Sequence, residues 1–147
     1  MSRQAKNRLK DILVEIQTQF RSNIDGTTYY NNLLVSNQID LGYEAIEECN
    51  KYPHIYIAAA NERNTVPVRR DQFEISDEIE IFGYVKESND TLTKALELQS
   101  DMEQALYTDE SLSNKVSAMS LSTGVAAMMG YGVVHLMLVV QSQYLTE

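Results

Sequence analysis

Residues 74–86 alternate between apolar and polar side chains with the two-residue period of a β-strand. One side of the alternation consists of Ile75, Ile79, Ile81 and Val85. Asp77 falls on that same side, so we expect the buried part of the strand to begin after it. The other side consists of Glu78, Glu80, Phe82 and Tyr84. The stretch therefore predicts a strand with one buried face.

Two amphipathic helices are predicted, one at the start of the chain and one directly after the strand at residues 74–86. Apolar residues between positions 9 and 20 recur with helical spacing, which predicts a helix over about the first twenty residues. Asp25-Gly26 is suited to a turn that ends this segment. Ser88, Asn89 and Asp90 are candidate N-caps for a second helix that runs to about Tyr107.

The remaining segments predict further strands at residues 29–36, 54–60, 116–123 and 131–144. Residues 40–50 suit a short helix or helical turn before Pro53, and the charged residues 61–71 suit a protruding hairpin arm or loop. Gly124 to Gly130 would separate the last two strands. The final strand is apolar on both sides through Val140, so its middle is expected to be covered on both faces, which hints at a partner surface.

The predicted order is α-β-β-β-α-β-β, in a single domain over residues 1–147. The fold class is α+β, with a mainly antiparallel sheet of about five strands and two main helices packed on it.

Composition narrows the classes of function. The formal net charge of −9 disfavours binding to phosphate backbones. Cys49 is the only cysteine, so the chain has no internal disulfide and synthesis in the cytosol fits. The N-terminus lacks the apolar stretch of a signal peptide, and residues 133–140 are far shorter than the ~20 residues that span a bilayer. We expect a core strand there and no membrane partner.

No arrangement of residues predicts catalysis or a cofactor. Cys49, His54 and His135 belong to no nucleophile or zinc motif. Cys49 is better interpreted as a structural thiol, and His135 as a core or interface imidazole. The glycines at 124, 130 and 132 match no phosphate-binding loop and suggest a turn.

Two charged clusters are candidate sites. Asp77, Glu78 and Glu80 form an acidic cluster that could bind a hard cation, although a solvated acidic face is favoured. Arg63, Arg69 and Arg70 concentrate positive charge in an acidic chain. Arginines of this kind suit carboxylates on a neighbouring subunit, and a plain solvated loop is an equal alternative.

Several strings, in order, resemble the tail terminator (tail completion) proteins of long-tailed bacteriophages. They are the N-terminal amphipathic helix, Tyr-Pro-His-Ile-Tyr-Ile at 52–57 followed by Asn-Glu-Arg at 61–63, Glu-Ile-Glu-Ile-Phe-Gly-Tyr-Val at 78–85, the helix at 92–106 with Asp109 after it, and Leu-Met-Leu-Val-Val-Gln-Ser-Gln-Tyr at 136–144. The resemblance spans nearly the whole chain. Family members commonly carry a glycine after the second strand, where this chain has Ala58-Ala59-Ala60-Asn61.

The resemblance implies a virion protein, made in the bacterial cytoplasm, that forms a hexameric ring on the head-proximal end of the tail tube. The ring would stop tube growth, dock to a head-side connector or stopper protein, and let DNA pass through its lumen without specific binding. Arg63, Arg69 and Arg70 would contact the next subunit or the tube, and part of the cluster Asp77, Glu78 and Glu80 would face the lumen or a subunit boundary. The alternatives are another neck or tube component, or a small α+β ligand-binding protein or enzyme.

Overall fold

The computed structural model describes residues 4–33, 38–49, 51–70, 72–110, 112, 116–128 and 130–145, with side chains described for these except at 4–8, 60–64 and 143–145. The elements are α1 (Gln4–Asn23), β1 (Ile39–Leu41), a 3₁₀ turn (Ile46–Glu48), β2 (His54–Arg69), β3 (Gln72–Lys86), α2 (Thr91–Tyr107), β4 (Ala118–Met128) and β5 (Tyr131–Leu145). The predicted α+β class is confirmed, and the predicted order of helices and strands roughly matches the observed one.

The strands of the described chain form one sheet in the order β1-β2-β3-β5-β4. β1 pairs with β2 in parallel, and every other neighbouring pair is antiparallel. β2 and β5 therefore run in one direction, and β3 and β4 run in the other. β5 follows β4 in the chain but lies between β3 and β4 in the sheet.

Both helices pack against the same face of the sheet, which we call the helix face. Alternate residues of the central strands point to it and are fully buried, as are the apolar stripes of α1 and α2. The strand residues include Ile55, Ile57, Ile79, Ile81, Leu136 and Leu138, and the helix residues include Ile12, Ile16, Phe20, Leu98 and Met102. Each of these side chains contributes about 1.5–3 kcal/mol through burial, so the helix face holds the core.

Two glycines on the helix face allow α2 to approach the sheet closely. A Cβ added at Gly83 would lie 2.7 Å from Met102 Sδ, and one added at Gly132 would lie 2.6 Å from Val85 Cγ2 and 3.0 Å from Ala95 Cβ. A side chain at Gly83 would displace the ends of the Met102 and Leu98 side chains, and one at Gly132 would displace Val85 and crowd Ala95 of the helix.

The predicted strand at residues 29–36 is wrong over its described part, and residues 34–36 lie outside the described residues. Residues 26–31 are bends, and the only bridge here is an isolated one between Asp25 and Asn32. The backbone N–H groups of Tyr30 and Asn31 are satisfied by the Asp101 carboxylate, at 2.9 and 2.8 Å, and not by a strand ladder. The first strand is instead the three-residue β1, which was not predicted from the sequence.

Three smaller expectations are corrected. Burial on β3 does not begin after Asp77, because Ile75 and Asp77 are themselves only 4% and 2% exposed. Gly124 lies within β4, so the last two strands are joined by a tight turn in which Gly130 has φ +81°. The middle of β5 is fully buried on the helix face only. Its other face is half-exposed at Val133, Met137 and Val139.

Candidate functional site

β2 and β3 extend well past β1 on one side of the hairpin, whereas β5 pairs with β3 along its whole length on the other side. β1 pairs only with Ile55–Ile57 of β2, whereas β2 continues to Arg69 and turns into β3 at residues 70–72. We call residues 63–77 the hairpin arm. A register shift between Ala59 and Arg63 marks where β2 enters it. The predicted hairpin is confirmed as a paired one, with Asp71 outside the described residues, but it does not protrude alone, because β5 pairs with β3 from residue 72 onward.

The outer strand of the arm is exposed at every position from 65 to 70. Val66 and Val68 are 56% and 49% exposed, and Arg69 and Arg70 follow them at the tip. The pairing of Val66 with Glu74 places Val66 on the sheet face opposite the helices. Exposed valines beside arginines form a small mixed surface that a partner protein can cover.

The structure brings Arg69 and Arg70 together at the tip and separates Arg63 from them. Arg63 lies at the base of the arm, where its backbone pairs with Asp77 of β3. Its side chain lies outside those described. The arginine cluster of the sequence is therefore an exposed pair at the tip and a third residue at the base.

The face of the sheet opposite the helices, which we call the open face, is covered along only part of its width. Residues 42–49 and 51–53, which we call the crossing segment, lie over part of this face. The Tyr43 ring lies 5.2 Å from that of Phe82, and the Glu44 carbonyl accepts a hydrogen bond from the Tyr84 hydroxyl at 3.0 Å. The Cys49 thiol lies 3.7 Å from the Tyr56 hydroxyl. Burial raises the pKa values of the Cys49, Tyr56 and Tyr84 side chains. The prediction of a half-buried structural thiol agrees with this position.

His54 lies at the edge of the crossing segment and is 7% exposed. Its Nε2 is 2.8 Å from an Asp40 carboxylate oxygen, and its ring stacks on Tyr56 at 4.4 Å. The pair joins β1 to β2 on the open face. The contact fixes the short parallel strand β1 against β2.

The rest of the open face is acidic on β3 and uncharged on β5. Glu78 and Glu80 are half-exposed there, and His135 of β5 lies beside Glu80, with Nε2 4.0 Å from Oε1, and beside the Phe82 ring at 4.9 Å. His135 is a surface residue of this chain and not a core imidazole. The other described open-face residues of β5, which include Val133, Met137 and Val139, are also half-exposed.

Asp77 does not join Glu78 and Glu80. Its side chain points to the helix face, is 2% exposed and has interaction partners of its own. Across the described residues, no group of three or more His, Cys, Asp or Glu side chains is arranged to bind a metal ion. The acidic cluster of the sequence is therefore divided between the two faces of the sheet.

A cavity of about 210 Å³ opens between the α2 start and the end of β3. It is lined by Asn31, Tyr52, Pro53, Val85, Lys86, Glu87 and Lys94. The Lys86 ammonium lies 5.9 Å from the centre of the Tyr52 ring and 5.5 Å from that of Tyr131. The volume is below the range of ~300–1,000 Å³ that small-molecule sites occupy.

Neither a scan against models of known protein families nor a search of curated proteins gives a match to this chain. Among the helices of the described residues, none is long and apolar enough to cross a membrane. The features that remain as candidate sites are the hairpin arm and the open face.

Proposed function

We propose that this protein is the subunit of a phage tail terminator, a hexameric ring that caps the head-proximal end of the tail tube. In this role the ring stops growth of the tube and docks to the connector or stopper protein on the head side. The observation that carries the proposal is the hairpin arm, whose outer strand β2 continues past β1 and exposes Val66, Val68, Arg69 and Arg70. The resemblance of the sequence to terminator proteins supplies the particular assembly.

The arm supports a role in assembly because its exposed valines have no benefit for the isolated chain. Two large apolar side chains on one paired strand gain free energy only when another surface removes them from water. Arg69 and Arg70 add a cationic tip to a chain whose net charge is −9. Another copy of the same acidic chain, or an acidic tube protein, would attract that tip.

The negative charge of the open face supports the proposal that DNA passes through the ring. Glu78 and Glu80 are half-exposed on it, and we place them, without the buried Asp77, at the lumen or at a subunit boundary. Carboxylates at the lumen would repel the phosphate backbone, so DNA would slide without being held.

The direct test is the mass of the purified protein in solution, measured together with electron microscopy of the same sample. The proposal expects closed rings with the mass of six chains. Open, growing tubes would identify a tube subunit instead. A protein that stays monomeric at high concentration and binds no tail component would refute the proposal and favour a ligand-binding protein.

A second experiment tests the capping activity itself. Tube protein is allowed to polymerise with and without the purified rings, and tube length is measured by electron microscopy. Terminator rings are expected to shorten the tubes and to appear at one end only. A length distribution unchanged by an excess of rings would contradict the role even if the rings form.

A further inference from the structure

β4 is an edge strand without the features that normally protect an edge. It is eleven residues long, lies last in the sheet order and has no strand on its outer side in the described part of the chain. Its sequence, AMSLSTGVAAM, contains no charged residue and no proline. Long, uncharged edges of this kind offer unpaired backbone N–H and C=O groups to any other strand.

The absence of charge extends beyond β4. Asp, Glu, Lys and Arg are absent from residues 116–146, which include both β4 and β5. Apart from Glu147, all of the Asp, Glu, Lys and Arg residues lie within residues 1–115. Two copies with net charges of −9 repel each other least where this uncharged part of the sheet forms the contact.

The outer side of the hairpin arm is a second free edge. Among the described residues, no strand pairs with the outer side of β2 beyond Ile57. The exposed segment at 65–68, Thr-Val-Pro-Val, is also uncharged. Pro67 has no backbone N–H, so this edge offers no donor at that residue, and pairing with another strand would use the alternate residues on either side of it.

The two free edges have matching directions. β2 runs opposite to β4, since β2 and β5 share one direction and β3 and β4 share the other. A rotation about a ring axis keeps all copies the same way up. It can therefore set β4 of one copy beside β2 of the next as an antiparallel pair, which continues the alternation of the sheet.

From these observations we propose that β4 of each copy pairs with the outer edge of the hairpin arm of the next copy, so that the sheets join around the ring. The inference rests on the proposed ring and names the contact that closes it. A head-to-tail contact requires two different complementary surfaces on one chain, and the two free edges supply them.

Cysteine cross-linking tests the pairing in a Cys49→Ser background. Val66→Cys is combined in turn with Ser120→Cys, Ser122→Cys and Gly124→Cys, because all four positions lie on the open face and one of the three is expected to stand opposite position 66. Under mild oxidation at least one pair is expected to give a ladder of covalent multimers with loss of the monomer band. Each single-cysteine variant is the control and is expected to stay monomeric on a denaturing gel.

The possible outcomes distinguish failure of the proposed strand pairing from failure of the proposed ring. Intact rings with no cross-link in any pair would overturn the pairing and leave the proposed function standing. A dimer formed by Ser122→Cys alone would show that β4 pairs with another β4, which also overturns it. Failure to find rings under any condition would overturn both.

A second set of variants does not depend on the register of the pair. Ser120→Lys and Ser122→Lys together place like charges on the β4 edge, and we expect loss of the rings with an unchanged unfolding temperature. The control is Thr93→Lys, which places a second lysine beside Lys94 on the exposed surface of α2. This variant should leave the rings intact. Full ring assembly by the β4 double variant would contradict the pairing.

Discussion

The Asp101 carboxylate on α2 accepts a hydrogen bond from the backbone N–H of Tyr30, 71 positions earlier in the chain, at 2.9 Å. Its second oxygen accepts the backbone N–H and the side-chain Nδ2 of Asn31, at 2.8 and 2.7 Å. Asp101 is 1% exposed. This residue therefore holds the segment after α1 against α2.

Asp101→Asn is expected to destabilise the fold, because an amide nitrogen replaces one accepting oxygen and faces N–H donors. Hydrogen bonds to charged groups contribute about 1.5–3 kcal/mol each, so a loss of about 3 kcal/mol in unfolding free energy is expected. Denaturant unfolding measures it. Glu103→Gln, a half-exposed carboxylate on the same helix, is the control and should change stability by less than about 0.5 kcal/mol. Equal stability of both variants would refute the assignment.

Gly132→Ala is expected to cost about 1–3 kcal/mol, because its Cβ would overlap Val85 and Ala95 between the sheet and α2. Gly124→Ala is the matched control in the neighbouring strand, where an added Cβ meets nothing within 4 Å. That control should be neutral or slightly stabilising. Thermal unfolding of the two variants compares them directly, and a stable Gly132→Ala variant would mean that α2 does not pack as closely as described.

Replacement of the arginines tests the arm. Arg69→Ala with Arg70→Ala should leave the unfolding free energy within about 0.5 kcal/mol of the parent, because both residues are exposed. Loss of their ion pairs with a partner should weaken ring formation or tube binding about tenfold or more. Size-exclusion chromatography and a tube-binding assay measure these effects. If Arg63→Ala is added and oligomer size and tube binding still do not change, the arm is merely solvated.

Charge reversal tests the open face. Glu78→Lys with Glu80→Lys is expected to leave the rings folded and to make them retain duplex DNA at low salt, with retention falling as salt is raised. Glu97→Lys with Glu103→Lys, on α2, produces the same net charge away from the open face and is the control. Unchanged ring assembly and DNA passage in the open-face variant would remove the assignment of these glutamates to the lumen or a boundary.

Stability is expected to fall at alkaline pH. Burial raises the pKa values of Tyr56 and Tyr84 above the ordinary value of about 10. Above about pH 10 these tyrosines lose their protons in the unfolded chain and keep them in the folded chain. Deprotonation therefore favours the unfolded state, and the unfolding free energy falls as pH rises. Denaturant unfolding between pH 8 and about pH 11 measures the slope. Tyr84→Phe should reduce it, whereas Tyr30→Phe, 67% exposed, should leave it unchanged.

The long periodic elements could be predicted from the sequence because their burial pattern is local. α1, α2, β3 and β5 were predicted close to their observed bounds, since the spacing of their apolar residues follows directly from the helix or strand period. The three-residue β1 has no such pattern. It exists because β2 lies beside it and because Asp40 contacts His54.

The misplaced first strand has a tertiary cause. Tyr29 and Leu33 belong to the core, as a strand would require, but the backbone between them is held by a carboxylate from a distant helix. No local signal shows where that carboxylate will lie. Among the candidate sites, the division of Asp77 from Glu78 and Glu80 followed from strand alternation, whereas the burial of Asp77 required the packing of the whole helix face.

The uncharged run at residues 116–146 is visible in the sequence, but its importance could not be inferred from the sequence alone. A stretch without charges is ordinary for a buried hairpin. It becomes informative only once β4 is known to stand at the edge of the sheet, which depends on β5 inserting between β3 and β4.

That insertion makes the outer edge of the sheet depend on one strand pair. Among the described strands β4 pairs only with β5, and β5 pairs with β3, so β4 belongs to the sheet only where β5 does. A change that displaces β5 from β3 would remove β4 with it. The edge proposed to receive the next copy would then be lost even if the arm stayed intact.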